Sequence, residues 1–98
     1  MHEAPVGPAR SSFWIRTFAL ARLIADQRPG EWLRVQRLYT RSTAAQLSSD
    51  INCAHLRTQE VRVKGILDGE VWEARWTDPP SGPRGDFAVW IRLVKSAD

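Results

Sequence analysis

Cysteine, histidine, methionine and tyrosine are scarce in this chain of 98 residues, which has one Cys, two His, one Met and one Tyr. A single cysteine, Cys53, excludes an intrachain disulfide and suits a reducing compartment. The two histidines, His2 and His55, stand far apart in the sequence. On a helix Cys53 and His55 would be rotated by about 200° from one another and point to nearly opposite sides. They cannot share a metal there, and a second pair of ligands is missing. Long apolar runs are absent too. FALARLIA, Phe18 to Ala25, is interrupted by Arg22 and falls well short of the roughly 20 residues that span a bilayer. The N-terminus shows no charged region followed by an apolar run and a cleavage site. These absences point to a cytoplasmic protein with no membrane partner.

Catalytic motifs are missing as well. No glycine-rich phosphate loop or nucleophile elbow occurs. Glu70 and Glu73 fall on opposite faces of a strand, so they form no carboxylate pair for acid–base work. Asp78 to Asp86, DPPSGPRGD, has two glycines, but it joins two strands and precedes no helix. The sequence therefore assigns no catalytic residue, metal or cofactor, and the expectation is a protein that is not an enzyme.

What is present is a chain able to fold. Its length suits one domain that buries roughly 60–65% of its unfolded surface. Hydrophobic residues make up 43% of it, too many for general disorder. Five tryptophans supply large anchors for a small core or for a partner surface. The net charge of +3 is unevenly spread. Arg28 to Lys64 holds seven basic and three acidic residues, whereas Gly65 onward holds four basic and six acidic. A basic middle third suits an anionic partner, and equally suits a solvated face with scattered ion pairs.

Along the chain, residues 1–11 carry two prolines, a glycine and no periodicity, and are expected to be a mobile tail, leaving 12–96 as the domain. Trp14, Phe18, Ala21 and Ala25 then follow helical spacing, widened by Leu20 and Ile24, until Pro29-Gly30 stops the helix. Glu31 to Thr40 is rich in strand formers, with Leu33, Val35 and Tyr39 on one face and Trp32 and Leu38 on the other. Alternation puts Arg37 on the apolar side, from which its tip should snorkel outward. Thr43-Ala-Ala-Gln46 fits a capping box for a helix whose apolar stripe is Ala44, Leu47, Ile51 and Ala54. Residues 56–67 are ambiguous. Val61 and Val63 alternate with Arg62 and Lys64 as a short strand would, whereas Leu56, Val63, Ile66 and Leu67 nearly share a helix face. Trp72, Ala74 and Trp76 form one face of a strand over Glu70 to Thr77, and Phe87, Val89, Ile91 and Leu93 one face of the last strand. These two pair most simply as a long-looped hairpin.

The preferred fold is therefore α+β, in the order helix-strand-helix-strand-strand, with two helices packed on one face of a small, mostly antiparallel sheet. The alternative is a winged helix-turn-helix, with residues 56–66 as recognition helix and Asp78 to Asp86 as the wing. Gly30-Glu-Trp-Leu-Arg-Val, Tyr39-Thr-Arg-Ser-Thr-Ala and Trp72-Glu-Ala-Arg together resemble a pattern in small uncharacterised proteins of actinobacteria and their phages. The resemblance covers roughly residues 30–95 and implies the first fold and a phage or mobile-element origin. It brings no activity with it.

Two functions from different classes fit these residues. The first is nucleic-acid binding, with duplex DNA as partner and a regulatory role. Arg34, Arg37 and Arg41 lead into the capped helix, whose free amides beside a guanidinium suit a phosphate. Arg57, Arg62 and Lys64 extend the basic surface, and Arg84 at the loop tip could enter a minor groove. The second is protein–protein interaction, as a homodimer or an inhibitor of a host protein, through Trp72, Trp76 and Trp90. Stacking of single strands on Trp72 and Trp76 ranks third. The first reading requires the positive side chains between Arg28 and Lys64 to gather on one exposed patch.

Overall fold

Helical spacing of Trp14, Phe18, Ala21 and Ala25 is realised in α1, Val6–Gln27, in a computed structural model that describes residues 6–77 and 86–97, with side chains from residue 12 onward. Phe18 and Ala21 are buried, and Trp14 packs on Phe18 at 5.6 Å between ring centroids. The helix begins inside the stretch expected to be a tail. Pro8 falls in its first turn, where a missing amide costs nothing because no intrahelical acceptor faces it. Leu20, assigned to the apolar stripe, is exposed instead, on the side of α1 that no other element covers.

After Pro29 and Gly30, the latter at φ +83°, the chain enters β1, Leu33–Tyr39. It turns at Thr40 into α2, Arg41–Asn52. Thr40, not Thr43, is the N-cap: its Oγ accepts from the Thr43 amide at 3.4 Å. Both threonines carry the right group, but the backbone leaves the strand at Thr40 in an extended conformation and is already helical at Arg41. Gln46 therefore does not close a capping box and donates to Asp50 at 3.0 Å. Ala44, Ile51 and Ala54 face the core as their spacing predicts, and Ser48 is buried beside them.

Residues 56–67 form neither the short strand nor the recognition helix. Two 3-10 turns, Ala54–Leu56 and Gln59–Val61, lead to Gly65 at φ +102°. This glycine lies against α1. A Cβ there would sit 2.9 Å from a Phe18 ring carbon and 3.0 Å from the Trp14 carbonyl oxygen. An extended valine run cannot persist through such a bend, and without a helix at 56–66 the winged helix-turn-helix alternative falls.

Strands β2, Val71–Thr77, and β3, Phe87–Lys95, pair antiparallel, as the hairpin reading requires. β3 also pairs antiparallel with β1, giving the order β1-β3-β2. The register of β1 shifts between Arg34 and Leu38. Both helices contribute to one core with Val35, Trp72, Ala74, Val89 and Ile91, so they cover one face of the sheet. The chain is thus α+β with two helices on a three-stranded antiparallel sheet. No described helix is long and apolar enough to cross a membrane.

Two polar locks fasten the pieces. Asn52, at the end of α2, donates to the Ala74 carbonyl at 3.0 Å and accepts from the Ala74 amide at 2.8 Å. Glu70, only 3% exposed, accepts from Arg22 Nε at 2.6 Å and Nη2 at 2.8 Å, from the Leu67 amide at 2.8 Å and from the Trp72 indole at 3.0 Å. Arg22 also donates to the Gly65 carbonyl. Burial alone would raise the Glu70 pKa. The Arg22, Leu67 and Trp72 donors outweigh it and hold the carboxyl below its ordinary value.

Candidate functional site

The side chains named by the sequence do not form one patch. Arg57 bonds Asp50 at 3.0 Å, and Arg62, its side chain 7% exposed, pairs with Asp68. Two of the expected phosphate ligands are thus occupied by carboxylates. Arg37 is exposed, as expected of a side chain that snorkels from the apolar side, and its guanidinium lies 4.1 Å from the centroid of Phe13 on α1. Arg41 is the first residue of α2, directly after the Thr40 cap, and its guanidinium sits 5.8 Å from the Trp76 ring. Arg37 and Arg41 therefore lie on the helix side of the sheet. Arg34 lies on the other side, and Lys64 stands next to Gly65 in the segment that packs on α1. Arg84 and the rest of the expected wing, residues 78–85, fall outside the described residues.

The tryptophans divide in the same way. Trp72 is buried and meets Phe18 edge-on at 4.8 Å. Trp76 packs on Phe87 at 5.5 Å, leaving both on the core side. Trp72 is too buried to seat a base, and Trp76 is half-buried between Phe87 and Arg41. Trp90 belongs to the opposite face, because its Cα partners are Arg34 on β1 and Arg75 on β2. Side chains of paired residues project to the same face, so Arg34, Trp90 and Arg75 form one row across three strands.

That row is the centre of the face that the helices leave uncovered. Beside it Trp32, just before β1, takes the guanidinium of Arg75 at 4.8 Å and that of Arg92 at 4.6 Å from its ring centroid. Such cation–π contacts fix long side chains that would otherwise be free to sweep the surface. Arg92 is held further by Glu73 at 2.7 Å. The Trp90 indole donates to Thr77 Oγ1 at 3.2 Å, which orients its ring. Among the described strand residues of this face, three arginines stand against one glutamate.

Sequence reasoning missed this constellation because it sought charge in the middle third, whereas Arg75 and Arg92 come from the acidic last third. The signal was there in the alternation: Trp32 and Arg34, Glu73 and Arg75, Trp90 and Arg92 each occupy the outer positions of their strands. Trp90 shares its residue type with Trp72 and Trp76 but not their face, since it alternates with Val89 and Ile91.

Elsewhere the chemistry is structural. Cys53 is half-buried at the end of α2, and His55 lies in the following turn. Among the described residues no three His, Cys, Asp or Glu side chains come together to hold a metal ion. A cleft of about 490 Å³ between α1 and the end of β3 is floored by Arg22 and Glu70, and Leu23 and Leu93 line its walls. Burial raises the pKa of the Tyr39 hydroxyl, with the Arg37 charge opposing the shift. No protein-family model, curated protein or solved structure matches this chain.

Proposed function

We propose that this chain binds nucleic acid without catalysing a reaction, and that the open sheet face is its binding surface. The row Arg34, Trp90, Arg75 carries the reading, because it sets an aromatic residue between two arginine positions on a face that neither α1 nor α2 covers. Phosphates favour guanidinium over ammonium for its planar fork of donors, and Trp32 holds two such forks in place before any ligand arrives. The duplex clamp expected at the start of α2 has less support, since Arg41 is drawn toward Trp76 and no recognition helix follows.

The test is a titration of labelled nucleic acid at several salt concentrations. Affinity should fall with salt, and each of Arg34→Ala and Arg75→Ala should flatten the log–log slope by about 0.7–0.9, the amount for one phosphate contact. Absence of binding at micromolar protein and low salt refutes the proposal.

A second reading, a protein partner or a second copy of the chain, has one observation in its favour. Ile15, Leu23 and Leu67 are all more than half exposed, and they flank the Arg22–Glu70 pair. A sedimentation coefficient that rises with protein concentration, and stops rising in Leu23→Ser, would support it.

A further inference from the structure

We infer that the ligand of the open face is a single strand, not a duplex, and that Trp90 stacks on one of its bases. The inference rests on the proposed function and narrows its substrate. Arg34 and Arg75 flank Trp90 on neighbouring strands, each backbone about 4.8 Å to one side. A base laid on the Trp90 ring therefore meets an arginine from each neighbouring strand, Arg34 from β1 and Arg75, whose guanidinium is held over Trp32, from β2, to bind the phosphates beside it. Arg92, two residues from Trp90 along β3, lies on the same face but shares its charge with Glu73, so Arg34 and Arg75 are the phosphate ligands.

A duplex cannot use this arrangement. Its base faces are hidden in the stack, so a ring lying among the cations of this face finds no base to stack on. Among the described residues both long helices lie on the far side, so nothing there projects from this face toward a groove. An unpaired base offers both its π-face and its flanking phosphates, and a sheet carrying an aromatic ring among cations meets both at once. Sequence preference should be weak. The polar group nearest the Trp90 ring, the Thr77 hydroxyl, is already its hydrogen-bond partner.

The experiment compares fluorescence anisotropy of labelled oligothymidine, oligouridine and a duplex of equal length on the whole chain. Both single strands should bind more tightly than the duplex. Trp90→Leu should weaken single-strand binding by about 5–150-fold and leave duplex binding unchanged, the range expected for losing one stacked base. Trp90→Phe, which keeps an aromatic face, should retain most of the affinity. It also serves as the readout should Trp90→Leu fail to fold by circular dichroism. A duplex bound as tightly as the single strands, or Trp90→Phe losing as much as Arg34→Ala and Arg75→Ala together, overturns the inference while the nucleic-acid reading stands. Binding of none of the three probes overturns both.

Discussion

Replacing Glu70 with Gln is the most demanding test of how this fold is held. The carboxylate accepts four hydrogen bonds from three residues, two of them from the Arg22 guanidinium, and is 3% exposed. Glutamine can keep the Leu67 amide, the Trp72 indole and Arg22 Nη2 on its oxygen. Its NH2 group must then face Arg22 Nε, donor against donor, in a site without charge to balance the guanidinium. Removing one partner of a fully buried ion pair costs about 3–5 kcal/mol. Arg22 is 26% exposed, and water takes part of its charge. An expected loss of about 2–3 kcal/mol follows once the buried-pair figure is reduced for that exposure. For a domain of this size that is about 10–20 °C in melting temperature. Urea unfolding followed by tryptophan fluorescence measures it directly, because Trp72 reports on the same site.

The pH dependence supplies the sign. The folded state holds the Glu70 pKa below its unfolded value, so its stabilisation is complete above the unfolded carboxyl range and fades as pH falls through the folded value. The gap between wild type and Glu70→Gln should therefore be largest near neutrality and shrink in acid. A difference of less than about 1 kcal/mol at pH 7, or one that does not narrow on acidification, would show that neutral hydrogen bonds and packing alone explain the site.

Two further substitutions probe the remaining joints. Asn52→Ala removes two hydrogen bonds to Ala74, at about 1 kcal/mol each, and should raise the amide exchange rate of Ala74 more than that of its paired neighbours on β3. Gly65→Ala places a methyl group 3.0 Å from the Trp14 carbonyl at a positive φ, which should cost about 1–3 kcal/mol by chemical denaturation. An unchanged midpoint would mean that the segment can lift away from α1.

Local patterns carried the element order because each secondary structure writes its own period. Phe18 and Ala21 on α1, Ala44, Ile51 and Ala54 of the α2 stripe, and Trp72 and Ala74 on β2 bury as their spacing predicts, whereas Leu47 and Trp76 stay half-buried. What escaped were choices between equal candidates and pairings across long separations. Thr40 and Thr43 are chemically equivalent caps, and only the point at which β1 ends decides between them. Val61 and Val63 alternate like a strand, yet Gly65 must turn to meet α1, a tertiary demand that local propensity does not contain. Arg22 and Glu70 are 48 residues apart and each looks like an ordinary surface charge. For the candidate site, arginine content was legible but destination was not. Arg57 and Arg62 found carboxylates, and the guanidiniums of Arg75 and Arg92 instead gathered on Trp32.

The hydrogen bonds of Asn52 also decide where the sheet stops. Strand β2 is an outer strand, and an outer strand with free backbone groups invites another chain to continue the ladder. At Ala74 both of those groups are already engaged by the Asn52 amide, which stands in for one residue of a fourth strand. The opposite rim is irregular between Arg34 and Leu38, so an incoming strand finds no straight template there. Both margins of this three-stranded sheet are thus poor templates for fibril growth.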